Sequence, residues 1–222
     1  YLHPMVRDES GQKMSKTKGN VVDPLEIAST MGADSLRFYL AWSAVHGRDV
    51  RVSEDLVEGC RNFVNKVWNA ARFVQMHFGD VKQSNLDLDN EVNQWIWGRL
   101  EETKKAVKEA LDNYRFFEAA QTAYHFMWDD YCFWFIELIK SPEELAARKA
   151  KKETTAIEVL EQVVRLLHPM MPFVTEKIWQ ELPIRDKAKK SISIAAYPEP
   201  DPKFKVKDGQ KRIQQVTAIV DC

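Results

Sequence analysis

Residues 53–74 read SEDLVEGCRNFVNKVWNAARFV, and this stretch decides the fold. Leu56, Cys60, Phe63, Val67, Ala70 and Val74 recur at intervals of three and four, the apolar face of an amphipathic helix rather than the alternation of a strand. Ser53 followed by Glu54 and Asp55 puts an N-cap and two acids where the helix macrodipole favours negative charge, and Gly79-Asp80 ends the helix. Such a face needs other helices to cover it, and the downstream sequence supplies them. After the polar linker KQSNLDLDN comes a second long helix, with Val92, Ile96, Leu100, Thr103, Val107 and Leu111 on one side and EETKK on the other. A third, from about Phe116 to Ile139, carries nine aromatic residues and reads as bundle core. Residues 141–182 predict a fourth long helix broken near His168-Pro169, then a short fifth that starts at Pro172 and Thr175. SISIAAYP, 191–198, alternates like a strand, and the C-terminal piece DGQKRIQQVTAIVDC starts like a helix and stops.

Upstream, residues 23–45 predict two short helices, the first capped by Asp23 with Pro24 at its first position and the second starting at Asp34 after the break at Gly32. GRDVRV, 47–52, is short and extended, and residues 1–22 combine a strand remnant with a basic loop. The fold class is therefore mainly α: a bundle of four or five helices, preceded by a loop and connecting helices that cannot bury themselves alone and expect a neighbour.

Composition narrows the function classes. The chain has 222 residues, 45% hydrophobic and 29% charged, enough for one sizeable core, and its net charge of −1 leaves no global field to attract nucleic acid or a membrane. Any polyanion must be met by local patches. Cys60, Cys132 and Cys222 are widely separated, which argues against a disulfide framework or a zinc site and fits reduced thiols. No apolar run approaches the length of a membrane span, and the start YLHPM has no initiating Met, which suggests a piece of something longer. No P-loop, nucleophile elbow, GxGxxG or HExxH motif is present, and the five histidines fall singly. The carboxylates read as solvated partners of lysines on helix faces.

One segment stands apart. GQKMSKTKGN, 11–20, packs three lysines, two hydroxyls and two glycines into a stretch that suits neither a core strand nor an amphipathic helix. It is a loop, either solvated or holding something anionic.

KMSKT, Lys13 to Thr17, closely resembles the KMSKS loop of class I aminoacyl-tRNA synthetases, with Thr17 where that family usually has Ser. The text that follows, including the turn Gly47 to Asp49 and the segment Arg61 to Phe73, is similar to the valyl branch of that family; leucyl and isoleucyl members share the loop and the bundle but usually lack these two pieces. YRFFEAAQTAYHFMWDDYCFWFIELIK and LLHPMMPFVTEKIWQEL resemble the family's anticodon-binding helical bundle.

The resemblance implies an ATP-dependent ligase acting on tRNA, cytoplasmic and monomeric. It divides the chain at 1–50 (end of the catalytic domain), 51–200 (anticodon-binding bundle) and 201–222 (linker towards a coiled-coil arm). Lys16, supported by Lys13, would contact the ATP phosphates, Ser15 would hydrogen-bond there, and Gly11 and Gly19 would let the loop hinge, Lys18 having a weaker claim. Negative charge grows on the pyrophosphate oxygens as the amino-acid carboxylate attacks, so lysines placed there stabilise the transition state. Arg61, Lys66, Arg72 and Phe73 would bind tRNA, Phe73 being either a stacking platform or a core contact; Asn62 would join them on the stem, and Asn65 and Asn69 are either stem contacts or buried amides. ARKAKK and RDKAKK read as phosphate patches or solvated faces. Mg2+ would accompany ATP in the complete enzyme, with no metal site in this chain. The HxGH signature and the length of an editing domain are missing, so the chain alone is expected not to activate valine. A stand-alone tRNA-binding module, a leucyl- or isoleucyl-type fragment and a purely structural helical bundle are the alternatives.

Overall fold

The structure, a computed structural model, describes residues 4–45, 47–184, 188–202, 204 and 213. His3, His46, Cys222, the first half of the RDKAKK tract and nearly all of the expected C-terminal linker lie outside the described residues. Two two-residue strands, β1 (Val6–Arg7) and β2 (Val50–Arg51), pair in parallel. Between them run α1 (Pro24–Met31) and α2 (Ala33–Trp42). The bundle follows as α3 (Glu54–Phe78), α4 (Glu91–Asp112), α5 (Phe116–His125), a π-helical continuation (Phe126–Phe135), α6 (Ile136–Ile139), α7 (Pro142–Lys151), α8 (Thr155–Leu167) and α9 (Pro172–Glu181).

α3 forms where the periodicity puts it, and its buried side is Val57, Cys60, Phe63, Val67, Ala70, Ala71, Val74 and Phe78. Leu56 lies on the same stripe but is 50% exposed. Periodicity gives a direction on the helix; it does not say how far along the helix a neighbour extends to cover it. α3 packs on α2 and α8, α4 on α5 and α8, and α8 on α9, around one apolar core.

Four sequence expectations need correction. SISIAAYP forms no strand: its centre is a 3-10 turn, Ile192–Ile194. An alternating segment becomes a strand only beside a free sheet edge, and here Glu176 instead accepts from the Ser191 hydroxyl (2.7 Å) and the Ile192 N–H (3.1 Å), seating Ile192 in the core. The fourth helix is two, α7 and α8, because Lys152 turns into the left-handed region (φ 52°) and the Glu153 carboxylate accepts from Thr155 N (2.7 Å) at the start of α8. EETKK is not a uniformly solvated face: Glu101 and Lys104 are buried as an ion pair, Lys104 also donating to Gln162 (3.0 Å) and Glu101 accepting from Asp201 N (2.7 Å). The carboxylates of Asp34 and Glu153 are likewise buried; Glu153 pairs with Arg148, which also donates to Asn93 (2.8 Å). Buried charge persists only when paired and hydrogen-bonded, and composition does not reveal those partners.

The neighbour expected for the opening segment is the bundle itself. Phe38 on α2 meets Phe63 on α3 at 4.8 Å between ring centroids, and Trp42 meets Tyr124 at 5.0 Å. Asp34, expected to start α2, sits in its first turn with its carboxylate across the molecule, accepting from the N–H groups of Phe173 (3.2 Å) and Val174 (2.6 Å) to cap α9.

Candidate functional site

The basic loop is closed by two residues outside its lysines. Asn20 accepts from Ser15 N (2.9 Å) and donates to Asp8 Oδ2 (2.7 Å) and to the Lys13 carbonyl (3.3 Å). Asp8 Oδ1 accepts from Gln12 N (2.6 Å) and the Ser10 hydroxyl (2.9 Å). These bonds, the Asn20 one foremost, hold the Asp8 carboxyl below its ordinary range. Arg7 fixes the base, pairing with Asp49 and forming a backbone bridge with Lys13. Gly19 adopts φ 66° and returns its N–H to the Lys16 carbonyl (3.2 Å), ending the turn Lys16–Lys18.

With the backbone tied, the cationic ends face outward. Lys13 and Lys16 are exposed and, among the described residues, form no ion pair, whereas Lys18 reaches Gln12 at 3.4 Å. The Ser15 backbone is occupied; its hydroxyl has no partner among the described residues. The loop shares a cleft of about 760 Å³ with the start of α3.

The other candidates lie on the outer side of α3. Arg61, Asn62, Asn65, Asn69 and Arg72 are all exposed, so the alternative of buried amides for Asn65 and Asn69 does not hold. At 3.6 residues per turn Arg61 and Arg72 fall about three turns apart on one margin of this strip, while Lys66 and Phe73 share the other margin. Phe73 is half-buried against the core and its ring lies 4.6 Å from that of His77. Lys66 lies over the Trp128 ring at 5.0 Å, an internal cation–π partner that sequence reading did not identify. From Gly59 to Gly79 the helix contains no acid, so the strip is positive although the chain is not. Arg61 and Arg72 have no ion pair among the described residues.

The structure thus keeps two candidate sites apart, the loop at the start of α3 and Arg72 with Phe73 near its end, about 30 Å along the axis. Sequence reading missed Asp8 and the role of Asn20, although an Asp and an Asn bracketing a basic run are the residue types that staple loops. It also missed His77, whose ring meets that of Phe73 one turn back on the same helix, and Trp128, which meets Lys66 from a distant part of the fold. Cys60 and Cys132 are buried and their thiols are pushed up to about 11 and about 12 by burial, so they stay protonated and take no part. Among the described residues no cluster of three or more His, Cys, Asp or Glu is grouped to hold a metal, and no helix is long and apolar enough to cross a membrane.

Residues 93–222 match the family described as the anticodon-binding domain of tRNA ligase, and residues 1–53 match tRNA synthetases class I (I, L, M and V). The chain is 47% identical over 203 residues to a valine–tRNA ligase of Bacillus cereus, covering 89% of this chain and 23% of the relative. It is 44% identical over 228 residues to that of Geobacter sulfurreducens, covering 99% and 25%. The chain thus spans about a quarter of the length of the curated relatives it matches. Among solved structures, a LeuRS of Agrobacterium radiobacter in a ternary complex with tRNA and LeuAMS superposes with a TM-score of 0.71 at 21% identity, covering 90% of this chain and 24% of that one. Methionyl-tRNA synthetase of Mycobacterium tuberculosis with methionyl-adenylate does so at 0.64 and 21%, covering 79% and 36%. At that identity the structures share the fold.

Proposed function

Because the chain belongs to the family of anticodon-binding domains of tRNA ligases and is homologous to valine–tRNA ligases, we propose that it is the part of such a ligase that carries the mobile ATP loop and the tRNA-binding bundle. Residues 1–50 end the catalytic domain, 51–200 form the bundle and 201–222 lead towards a further arm. The complete enzyme works in the cytoplasm as a monomer, joins valine to its tRNA and uses ATP with Mg2+.

Lys16 and Lys13 meet the phosphates of ATP as the valine carboxylate attacks the α-phosphate and pyrophosphate departs. The Asp8–Asn20 staple holds the loop backbone in a compact turn, so the lysine ends move as a unit when the loop closes. The Ser15 hydroxyl is positioned to join them.

Arg61, Arg72, Phe73 and Lys66 face the anticodon stem and loop. The arginines neutralise phosphates, and Phe73 offers a face to an unstacked base beside Arg72. Lys66 joins by swinging off Trp128. The observation that carries this reading is the exposed strip of α3, with two arginines that have no ion pair among the described residues, three asparagines and no acid over the last two-thirds of the helix.

The test is binding of the chain to a valine tRNA, the same tRNA with an altered anticodon, and a leucine tRNA, each at several salt concentrations. Preference for the unaltered valine tRNA, weakening as salt rises, is the expected result. Tighter binding of the leucine tRNA would transfer the chain to the leucyl-type reading, and equal binding of all three would reduce the bundle to an unspecific phosphate holder.

A further inference from the structure

Next to Phe73 the surface falls into a groove of about 950 Å³, between the end of α3, the linker at 80–85 and the last turn of α7. His77, whose ring contacts that of Phe73, forms one wall, and Lys82, Lys149, Lys151 and Lys152 line the others. The acids of the groove only partly offset them. Glu153 is consumed by Arg148, which leaves Asp80; Lys151 faces Asp87 at 3.7 Å. Lys82, Lys149 and Lys152 have no ion-pair partner among the described residues.

Basic residues in the last turn of a helix also suit its macrodipole. That accounts for Lys149 and Lys151. It does not account for Lys82, which is on the linker, nor for Lys152, whose left-handed backbone (φ 52°) favours Gly or Asn over a lysine.

We infer that this groove is a phosphate-binding extension of the interface on α3, in which Lys82, Lys149 and Lys152 hold the RNA strand running on from the base at Phe73. The inference rests on the proposed binding of RNA by α3 and adds where the backbone goes. A nucleotide stacked on Phe73 leaves its neighbouring phosphates at the mouth of the groove, because His77 is shared by both. The chemistry required is a line of single negative charges at sugar–phosphate spacing, met by flexible point charges rather than by a fixed fork.

The experiment is fluorescence anisotropy of the chain with a labelled anticodon stem–loop hairpin RNA over a salt series, using Lys82→Ala/Lys149→Ala/Lys152→Ala together, Lys152→Gly alone and Arg72→Ala. The triple variant should bind more weakly, its log–log salt slope shallower by about 2, at about 0.7 for each phosphate that the lysines no longer neutralise. Lys152→Gly should weaken binding while keeping or raising Tm, an opposition that a merely structural lysine would not produce. Unchanged affinity and slope in both lysine variants, with Arg72→Ala weakened, would overturn the groove and leave the α3 interface standing. No RNA binding by the unaltered chain would overturn both. Equally effective competition by polyglutamate would mark a general polyanion surface and overturn the assignment to RNA.

Discussion

Asn20 holds three parts of the basic loop at once: the Ser15 amide, the Lys13 carbonyl and the Asp8 carboxylate. None of these bonds is deeply buried, so the loop is closed by a few exchangeable hydrogen bonds and opens without disturbing the core. In the complete ligase, Lys16→Ala should lower kcat of valine-dependent ATP–pyrophosphate exchange by about 10- to 100-fold while ATP KM moves little. That is the loss of one charge-assisted hydrogen bond of about 1.5–3 kcal/mol made in the transition state. Asn20→Ala leaves the lysines in place but loosens the turn that presents them, so it should reduce kcat by less than Lys16→Ala; an equal or larger loss would make Asn20 part of the chemistry. At the other site, Phe73→Ala should weaken RNA hairpin binding by about 1–3 kcal/mol if a base stacks there. Phe73→Leu separates the two roles: it restores packing against the core but not stacking, so its Tm should recover while its affinity does not.

At the scale of elements, α9 depends on residues far from it in sequence. Its first turn is capped by Asp34, and the bend before it is held by His168, whose Nδ1 lies 2.8 Å from the Thr175 hydroxyl and whose Nε2 lies 2.9 Å from that of Ser193. Thr175 donates its own hydrogen to the Met171 carbonyl (2.6 Å), so Nδ1 carries the ring proton and Nε2 accepts. Burial lowers the pKa of His168, against the opposing pull of Glu176 and Asp34 and with a smaller push from Arg37. A histidine depressed in the folded state contributes stability that is present above its ordinary value of 6.5 and is lost as pH falls through the folded pKa. Tm should therefore drop on acidification below about 6.5, and His168→Asn should remove that part of the drop. Asp34→Ala should cost about 1–2 kcal/mol, the worth of a helix cap, read as a lower Tm. The helices themselves were legible in the sequence wherever one period ran without interruption, as in α3. The third expected helix was legible in extent but not in pitch: its π-helical part buries Phe126 with Tyr131 and Met127 with Cys132, at intervals of five, and turns Phe133, which an α-helical period places with Phe126, 54% out to solvent. The Asp34 cap could not be read at all, because Asp34 follows a glycine at a helix start and looks like a local residue, while its partners lie some 140 positions away.

On the scale of the whole molecule, the opening segment and the bundle share a single core. Ile27, Phe38 and Tyr39 are buried with the bundle residues, and the Tyr39 hydroxyl donates to the Arg51 carbonyl, locking α2 to the strand that leads into α3. This joint is why a loop proposed for ATP chemistry and a strip proposed for RNA can sit at opposite ends of one long helix and still be anchored on one body: α3 is the axle, with α2 and α9 clamped to its sides by aromatic packing and the Asp34 cap. The joint predicts cooperative unfolding. Removing a fully buried ring in Phe38→Ala should cost about 3–5 kcal/mol. Far-UV circular dichroism and tryptophan fluorescence should then melt together at a lower temperature, with amides of α2 and α8 losing hydrogen-exchange protection in step. If α2 exchanged early while α8 kept full protection, the first fifty residues would be a separate body resting on the bundle, and loop closure would not be coupled to RNA held on α3. Coincident loss gives that coupling a mechanical route, since a strain applied at either end of α3 meets the same packed rings, Phe38 against Phe63 and Trp42 against Tyr124, before it reaches the other end.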